Sequence, residues 1–383
     1  MPVPRPLDHI MVVSLEQAIA APLCTRHLAD LGARVIKVER PGKGDFARHY
    51  DRRARGQASH FVWVNRSKES LALDIKEPNH LAVLRALIAR CDVLVQNLAP
   101  GATARLGLDA ATLRQTQPSL IVCDISGYGQ DGPYRDRKAY DLLIQGEAGL
   151  VSVTGTPDTP SKTGNSIADI AAGMYAYSAI LAAIIQRGKT GQGAHIDVSM
   201  LESLVEWMGY PLYYAMDGAS PPERTGASHA TIQPYGPYAV GDGGAVILGV
   251  QNEREWDRFC DQVLGHAELA RDPRFDTIAR RSENRQALRA LILKVFAGLS
   301  TEQVGQRLDR AQIANARMNT MAEVWAHPQL QARGRLSTIG SPAGPLPAFL
   351  PPASQSGFAH HMGPVPQVGE HNEAILRELG MRL

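Results

Sequence analysis

The chain of 383 residues contains few cysteines, and none of them is paired in a C-x-x-C motif. The four are Cys24, Cys91, Cys123 and Cys260, and each stands in an apolar stretch. This scatter argues against a zinc site or a disulfide framework and fits a reducing cytoplasm. We therefore expect buried structural thiols in a cytoplasmic protein.

An excess of one charge and long apolar runs are also absent. The formal net charge of +2 gives no reason to expect a nucleic-acid or acidic surface partner. Polar residues interrupt the apolar stretches before about 18 positions, so no membrane span is predicted. The start, MPVPRPLDH, lacks a cationic and apolar signal segment. With 44% apolar and 20% charged residues, the composition is typical of a soluble globular protein.

The glycine motifs of common nucleotide sites are missing as well. The turn at 14–22, SLEQAIAAP, lacks the G-x-G-x-x-G of a dinucleotide site, and no Walker A loop occurs. Binding of NAD or FAD is therefore not supported. The histidines near the C-terminus have no metal-ligand spacing, so no metal site is predicted; they are His327, His360, His361 and His371.

What the chain does contain is an alternation of strand and helix patterns. Helical patterns cover 18–31, 80–89 and 110–117. Short β-branched runs predict strands at 9–15, 34–38, 71–75, 92–96, 120–125 and 194–200. Such alternation is typical of right-handed βαβ units with parallel strands. The predicted fold class is α/β, with a Rossmann-like parallel sheet in a large domain.

The length exceeds the roughly 250–300 residues at which single cores stop growing, so two domains are expected. Residues 1–200 are predicted to form the first part of the large domain, and an apolar helix at 200–216 lies in a linker, 201–224. Residues 225–325 read as a smaller α+β domain, with a β-hairpin around the Asp242–Gly243 turn and charged helices over 252–310. Residues 326–383 return to the large domain and end in a helix from Glu373.

Two acidic residues stand near the ends of the stretch from Lys138 to Gly173. Asp141 leads the apolar run DLLIQ, and Asp169 precedes a helix-length apolar run without proline. The residues between them, SVTGTPDTPSKTG, are predicted to form a loop. An acid at the position of Asp169 can serve as a helix cap, or it can be a carboxylate nucleophile whose oxyanions the free N–H groups of the helix start would stabilise.

Basic residues follow three of the predicted strands. Arg40, Lys76 and Arg105 come after successive strands, and ligands of open α/β sheets bind beyond the carboxyl ends of strands. Such a set can bind phosphates without a glycine-rich loop, although each residue by itself also suits a solvated surface.

Nine stretches of the sequence resemble the family III CoA transferases, the group that includes formyl-CoA:oxalate and carnitine CoA transferases. The resemblance runs nearly from end to end, and the order and spacing of the stretches are specific. They are LADLGARVIKVERPGKGDFAR (28–48), NRSKESLALDIKEP (65–78), DVLVQNLAPGATARLGL (92–108), ISGYGQDGPY (125–134), KAYDLLIQGEAGL (138–150), IADIAAGMYAYSAILAAI (167–184), RGKTGQGAHIDVSMLES (187–203), HATIQPYGPY (229–238) and GEHNEAIL (369–376).

The resemblance implies roles for particular residues. Asp169 matches the catalytic aspartate. The implied contacts to coenzyme A are Arg40, Leu73, Lys76, Asn97, Leu98, Arg105, Lys138, Ala139, Tyr140 and Asp141. The implied acyl pocket comprises Gln17, Ile19, Ala20, His27, Arg48, His229 and Thr231, of which His27, Arg48 and His229 would meet a distal carboxylate. A lid at 227–236 replaces the glycine-rich flap of formyl-CoA transferase, and two chains are expected to interlock as a homodimer.

The chemistry that the resemblance implies requires no metal, ATP or redox cofactor. Coenzyme A moves between two carboxylic acids as a thioester substrate, through an aspartyl anhydride and an enzyme–CoA thioester, and no prosthetic group is expected. The turn at 14–22 and residues 224–236 resemble the subgroup that acts on the C5 dicarboxylates itaconate, mesaconate and citramalate, with succinyl-CoA as donor.

Two alternatives remain open from the sequence. α-Methylacyl-CoA racemases share the fold and the aspartate, but they pair it with a His, where this chain has Tyr140. The tyrosine removes a base whose pKa lies near neutrality, which favours transfer. A CoA-binding protein without catalysis is the other alternative, and the combination of Asp169 with the basic set argues against it.

Overall fold

The structure is a computed structural model that describes residues 3–383. Its strands are β1 (Met11–Leu15), β2 (Arg34–Glu39), β3 (Lys68–Ala72), β4 (Val93–Gln96), β5 (Ile121–Ser126), β6 (His195–Ser199), β7 (Tyr235–Ala239), β8 (Ala245–Gly249), β9 (Ala314–Arg317), β10 (Leu336–Ile339) and β11 (Leu346–Phe349).

Helices alternate with these strands along the chain. They are α1 (Ala20–Asp30), α2 (Ser59–Val64), α3 (Pro78–Ile88), α4 (Ala102–Arg105), α5 (Ala110–Thr116), α6 (Asp141–Glu147), α7 (Leu150–Val153), α8 (Ile167–Thr190), α9 (Met200–Trp207), α10 (Gly209–Tyr214), α11 (Glu253–Arg258), α12 (Ile278–Glu283), α13 (Arg285–Phe296), α14 (Thr301–Arg310), α15 (Met321–Trp325), α16 (Pro328–Ala332) and α17 (Asn372–Leu379). Shorter 3₁₀ or π turns occur at Phe46–His49, Met216–Gly218, Phe259–Leu264 and Ala267–Arg271.

The chain forms two compact units. The first runs to Gly149 and continues through Thr163–Gly209 and Gln329–Leu383. The second consists of Leu150–Lys162 and Tyr210–Pro328. The short segment 150–162 belongs to the second unit because the Arg224 guanidinium donates hydrogen bonds to three of its carbonyl groups, at Ser152, Thr156 and Pro157.

The first unit contains a six-stranded sheet in the order β3-β2-β1-β4-β5-β6. All five strand pairs are parallel, so the predicted Rossmann-like sheet is confirmed. Strands β2 and β3 are added on one side of β1, and β4, β5 and β6 on the other, so the order of the strands reverses between β1 and β4. Open α/β sheets bind ligands at such a switch point. One face of the sheet packs against α3, α5 and α17 through buried aliphatic side chains, among them Ile36, Leu84 and Ile375.

Helix α8 is the longest helix of the first unit. By length and composition alone it is apolar enough to cross a membrane, with a mean hydropathy of 1.6, although the sequence predicted no such span. Here it packs against α1, α6, α9, β5 and β6 of the same unit. Its contact with α1 is very close because Gly173 has no side chain: a Cβ there would lie 2.6 Å from the carbonyl oxygen of Ala20. The glycine thus sets the distance between the two helices.

The second unit has a three-stranded antiparallel sheet in the order β7-β8-β9, covered by helices. The predicted hairpin is confirmed, because β7 and β8 pair across the turn that contains Asp242 and Gly243. The core of this unit is rich in aromatic side chains, including Trp256, Phe259 and Phe296. All these observations agree with the predicted α+β character of this part of the chain.

Two predicted elements differ from the structure. The third strand covers Lys68–Ala72 and not 71–75, because its register with β2 pairs Val35 with Lys68. The apolar run predicted as one helix at 200–216 is split into α9 and α10 at Met208, and Pro211 stands in the first turn of the second piece. A proline is tolerated there because the first-turn N–H groups of a helix have no intrahelical partner.

Candidate active site

The first turn of α8 carries Asp169, as predicted, but a carboxylate from another helix caps this turn. Ser166 at the N-cap makes no side-chain hydrogen bond to the turn. Instead, Oδ1 of Asp141 accepts hydrogen bonds from the N–H groups of Ala168 at 2.8 Å and Asp169 at 3.4 Å. These two N–H groups are therefore occupied, which corrects the expectation that the start of this helix would stabilise an oxyanion.

The position of Asp141 is fixed on its other side by Gln145, which is fully buried. The Gln145 Nε2 group donates to Oδ2 of Asp141 at 2.7 Å, and Oε1 of Gln145 accepts from the N–H of Thr163 at 3.0 Å. Both oxygens of the Asp141 carboxylate thus have donors. Asp141 is a structural cap whose negative charge stays close to Asp169.

The carboxyl group of Asp169 has a different environment. Within residues 3–383 it forms no hydrogen bond with a donor and no ion pair with a cation, and the residue is only partly buried. Burial, followed by the negative charge of Asp141, raises the pKa of Asp169 to about 7. Such a carboxylate is more basic than an ordinary aspartate and has free lone pairs, which are the properties of a nucleophile.

Tyr50 is a site residue that the sequence analysis missed. Its phenol lies within electrostatic range of the carboxylates of Asp45 and Asp169 and of the phenol of Tyr140. Partial burial, then these charges, raises the pKa of Tyr50 to about 12, so it remains a hydrogen-bond donor at neutral pH. Its ring packs against Phe46 and His60. The only signal in the sequence was a polar aromatic residue two positions beyond the matched stretch 28–48.

The turn after β1 lies at the switch point of the sheet, next to the residue that follows β4. Asn97 holds Gln17 from both sides: Oδ1 accepts from the Gln17 N–H at 2.8 Å, and Nδ2 donates to the Gln17 carbonyl at 2.9 Å. Ala18 has a positive φ of 62°. Ala18 and Ile170, the residue after Asp169, both pack against the cluster of Ile19, Leu23 and Val64. The structure therefore brings Ile19 close to the first turn of α8 and Ala20 close to Gly173 on the same helix, with Gln17 directly before them in the chain.

The basic residues expected at coenzyme A occupy the edge at which β2, β3 and β4 end. Arg40 directly follows β2, Lys76 lies four residues after β3, and Arg105 ends α4 after β4. All three side chains are exposed, and in the described part of the chain none is in an ion pair with a carboxylate. Their charges are available to an anionic ligand at this edge of the sheet.

Other expected contacts to coenzyme A are available in different ways. The side chain of Leu73 is buried, and the Leu98 N–H already donates to Oε1 of Gln96 at 2.8 Å. The groups of these two residues that could contact coenzyme A are therefore their backbone carbonyls. Lys138 and Tyr140 are exposed. Ala139 packs directly against Gly127: a Cβ added to Gly127 would lie 2.2 Å from the Cβ of Ala139.

Two residues expected to meet a substrate carboxylate are engaged elsewhere. His27 lies 5.2 Å from the ring of Tyr177, and burial, then Arg26 and Arg66, lowers the pKa of His27 to about 3, so the ring is neutral. The Arg48 guanidinium forms two hydrogen bonds with Glu39, at 2.8 and 2.7 Å, and stacks on a phenylalanine ring. Neither residue offers a free positive charge to a substrate, because burial keeps His27 neutral and the Arg48 guanidinium is paired with the Glu39 carboxylate.

The expected lid residues belong to the second unit and form a local turn. Nδ1 of His229 accepts from the N–H groups of Thr231 at 3.2 Å and Ile232 at 3.0 Å. The imidazole stacks on Tyr235 at 5.4 Å, and Gln233 donates to the His229 carbonyl. The segment therefore has its own hydrogen bonds.

Comparisons with known proteins agree with one another. The sequence model of a family described as CoA-transferase family III matches residues 7–372. Succinate–glutarate CoA-transferase of Agrobacterium fabrum is 34% identical over 385 residues, which cover 98% of this chain and 96% of that protein. Succinyl-CoA–D-citramalate CoA-transferase of Chloroflexus aurantiacus is 32% identical over 383 residues, which cover 98% and 94%. The crystal structure of a CaiB/BaiF family protein from Brucella suis has a TM-score of 0.86 at 35% identity and covers 98% of this chain and 99% of that one.

Proposed function

This chain belongs to CoA-transferase family III and is a CoA transferase, and on that premise we propose that it moves coenzyme A from succinyl-CoA to a C5 dicarboxylate through covalent chemistry at Asp169. The similar proteins of Agrobacterium and Chloroflexus are named for succinyl groups with glutarate and D-citramalate, both five-carbon diacids. This adds glutarate to the acceptors that the sequence suggested, namely itaconate, mesaconate and citramalate.

The mechanism rests on one observation: Asp169 is a partly buried carboxylate with no hydrogen-bond partner among residues 3–383, beside a second carboxylate that accepts hydrogen bonds at both oxygens. An oxygen of Asp169 attacks the thioester carbonyl carbon, the C–S bond breaks, and coenzyme A leaves as a thiolate. The product of this step is a mixed anhydride between Asp169 and the donor acid.

The remaining steps exchange the two acids. The thiolate attacks the aspartyl carbonyl, which releases the donor carboxylate and forms an enzyme–CoA thioester. The acceptor carboxylate attacks this thioester, again expelling the thiolate and forming a second anhydride. The thiolate then attacks the acceptor carbonyl, so that acyl-CoA leaves and Asp169 is regenerated. No net redox change occurs and one thioester replaces another.

Each attack creates an oxyanion that needs a donor. The N–H groups of Ala168 and Asp169 are used by Asp141, so the donor must come from another element. Tyr50 fits this role, since its phenol stays protonated and lies within electrostatic range of Asp169. The side-chain oxygen of Gln17 accepts from the Phe46 N–H at 3.2 Å, which leaves its amide hydrogens for a substrate carboxylate.

We further propose that Arg40, Lys76 and Arg105 bind the phosphates of coenzyme A at the carboxyl edge of the sheet. Asn97, Leu98, Leu73, Lys138, Ala139 and Tyr140 would complete that site. Binding of the nucleotide far from the thioester positions the reacting carbonyl. The segment 227–236, with His229 and Thr231, would act as a lid that keeps water from the anhydride.

The proposal includes a cytoplasmic homodimer. All four cysteines are free and buried, as their apolar contexts predicted, which suits a reducing compartment. In the first unit, large apolar side chains remain exposed on α6 and α8: Leu142 is 52% and Ile185 63% exposed. Surfaces of this kind are typical of subunit interfaces.

A panel of acids tests the substrate assignment. The purified protein is incubated with succinyl-CoA and glutarate, itaconate, mesaconate, citramalate or oxalate, and the new acyl-CoA is identified by mass spectrometry. We expect transfer to at least one C5 diacid with a kcat/KM at least tenfold above that for oxalate. Preference for oxalate, or exchange of the Cα hydrogen with deuterated water in place of transfer, would contradict the proposal.

The Asp169→Ala substitution tests the nucleophile. The variant should lose at least about 10⁴-fold in kcat because the covalent route is removed, whereas its Kd for coenzyme A by calorimetry should change less than threefold. Asp131→Ala, at an exposed position, is the control and should behave as wild type. Hydroxylamine trapping with peptide mapping should place the adduct on residue 169; a label elsewhere would refute the assignment.

A further inference from the structure

A cluster of four fully buried charges lies beneath the turn at Gln17–Ile19. The Nζ of Lys37 donates to Asp45 at 2.8 Å and to Glu16 at 3.3 Å. The Nζ of Lys68 donates to the same Glu16 oxygen at 2.7 Å. The side chains of all four residues are 0% exposed. Two lysines and two carboxylates therefore neutralise one another inside the domain.

The charged states of Glu16 and Lys37 are maintained by contact with the oppositely charged members of the cluster. Burial opposes the charge of Glu16, yet Lys68 and Lys37 lower the pKa of Glu16 to about 2. Burial also opposes the charge of Lys37, yet Glu16 and Asp45 raise the pKa of Lys37. Buried ion pairs contribute little net stability compared with apolar residues of equal volume. Stability therefore does not account for the cluster, and Asp45 is the member that reaches the turn.

Asp45 connects the cluster to the turn. Its Oδ2 is held by Lys37, while its Oδ1 accepts from the N–H groups of Ala18 at 3.1 Å and Ala47 at 2.9 Å. Ala18 has a φ of 62°, which lies in the left-handed region that is unfavourable for a residue with a Cβ. An alanine keeps this conformation only if its surroundings impose it.

Asn97 supplies the second constraint. Its amide binds both the N–H and the carbonyl of Gln17, so consecutive N–H groups of the turn are held from two different elements. Beyond these bonds, Ala18 of the turn and Ile170, the residue after Asp169, both pack against the apolar cluster of Ile19, Leu23 and Val64. A shift of the turn would therefore disturb the cluster that supports the helix turn of Asp169.

We propose that Asp45 and Asn97 are positioning residues for the transfer reaction, and that Lys37 holds Asp45 so that the strained Ala18 turn fixes Asp169 in its reactive position. This rests on the proposed function of Asp169. Neither residue needs to touch the substrate through its side chain, and the contact expected of Asn97 with coenzyme A is made by its backbone. Both therefore act on the rate of the chemical step and not on the binding of coenzyme A.

Two single substitutions test the proposal in the full-length enzyme. Asp45→Ala and Asn97→Ala should each lower kcat about 10- to 100-fold, because a displacement near 1 Å at a reacting group has effects of this size. The KM for succinyl-CoA and the Kd for coenzyme A should change less than threefold. Asn97→Ala leaves the buried charges intact and therefore decides the matter even if Asp45→Ala does not fold.

A rescue distinguishes positioning from general destabilisation. Glycine adopts a positive φ without strain, so Asp45→Ala combined with Ala18→Gly should recover about fivefold in kcat. The control is Asp45→Ala combined with Arg55→Gly, because Arg55 also has a positive φ of 51° but lies outside the turn. The control should recover nothing, and Arg55→Gly alone should stay within twofold of wild type.

Three results would overturn the proposal. They are an unchanged kcat in Asn97→Ala, a loss expressed only in KM, or equal recovery with Arg55→Gly. Asp169→Ala is measured in the same assay: if that variant remains active, the proposed function fails. If it is inactive while Asn97→Ala is fully active, only the positioning role fails.

Discussion

Two aspartates stand 28 positions apart in the chain, and their surroundings give them different tasks. The Asp141 carboxylate accepts hydrogen bonds at both oxygens, whereas the Asp169 carboxyl group accepts none from the described part of the chain. Burial, and then the neighbouring charge of Asp141, keeps the pKa of Asp169 high. The division between a structural acid and a reactive acid therefore depends on local donors and not on residue type.

The raised pKa of Asp169 predicts a pH-dependent effect of Asp169→Asn on stability. The folded pKa of about 7 lies above the usual value of 3.8, so the stabilisation by the bound proton is complete below pH 4 and is lost as the pH rises through 7. Wild type and variant should be equally stable at pH 4. At pH 8 the variant should be more stable, by about 4 kcal/mol.

Urea unfolding at the two pH values provides the measurement. Asp158→Asn, at an exposed loop position, is the matched control and should show the same free energy difference from wild type at both. If Asp169→Asn is no more stable than wild type at pH 8, the carboxyl group is not strained by burial and by Asp141.

Tyr50→Phe isolates one hydroxyl group. The phenylalanine keeps the ring contacts with Phe46 and His60, so stability should change little. If the hydroxyl stabilises the oxyanion, kcat should fall about 10- to 100-fold while the KM for succinyl-CoA stays nearly constant. Steady-state kinetics beside Tyr213→Phe, a 79% exposed tyrosine, gives the comparison. A Tyr50→Phe enzyme with normal turnover would remove Tyr50 from the mechanism.

At the scale of elements, the contact between α1 and α8 joins the turn at the switch point to the helix of the nucleophile. Gly173 permits this contact, and Gly188 on the same helix provides a comparison because a Cβ there would meet nothing within 4 Å. The two glycines lie on the same helix, but Gly173 packs against α1 and Gly188 faces open space.

We expect Gly173→Ala to destabilise the protein by about 1–3 kcal/mol, because the added methyl group collides with the Ala20 carbonyl and forces the helices apart. Gly188→Ala should stabilise it by about 1 kcal/mol through helix propensity alone. Denaturant unfolding measures both, and kcat should fall only in the first. Equal effects of the two substitutions would show that the helix contact does not require glycine.

At the scale of the whole molecule, the exposed apolar residues lead to a prediction about assembly. Helix α8 has a mean hydropathy of 1.6, yet only 39% of its most apolar window is buried in the single chain. Ile185→Glu places a charge on this surface and should weaken a homodimer at least tenfold in Kd, whereas Gln186→Glu at the neighbouring exposed position should not. Sedimentation equilibrium over a dilution series measures both, and a monomeric wild type would refute the dimer.

The sequence by itself determined the α/β class, the parallel sheet, the hairpin of the second unit and the helix start that carries Asp169. These features depend on periodicity, turn residues and ordered motifs, which lie within short stretches of the chain. The motifs were also sufficient to recognise the family.

Only the tertiary structure decided which groups are free at the site. Contacts between residues distant in sequence determine that Asp141 caps α8 and that His27 is neutral. They also determine that Arg48 is already paired and that Tyr50 lies near Asp169. The same is true of the bond from Asn97 to Gln17, across 80 positions. Burial and donor contacts arise when separate elements pack together, and they set the charge and reactivity of a side chain; no local pattern encodes them.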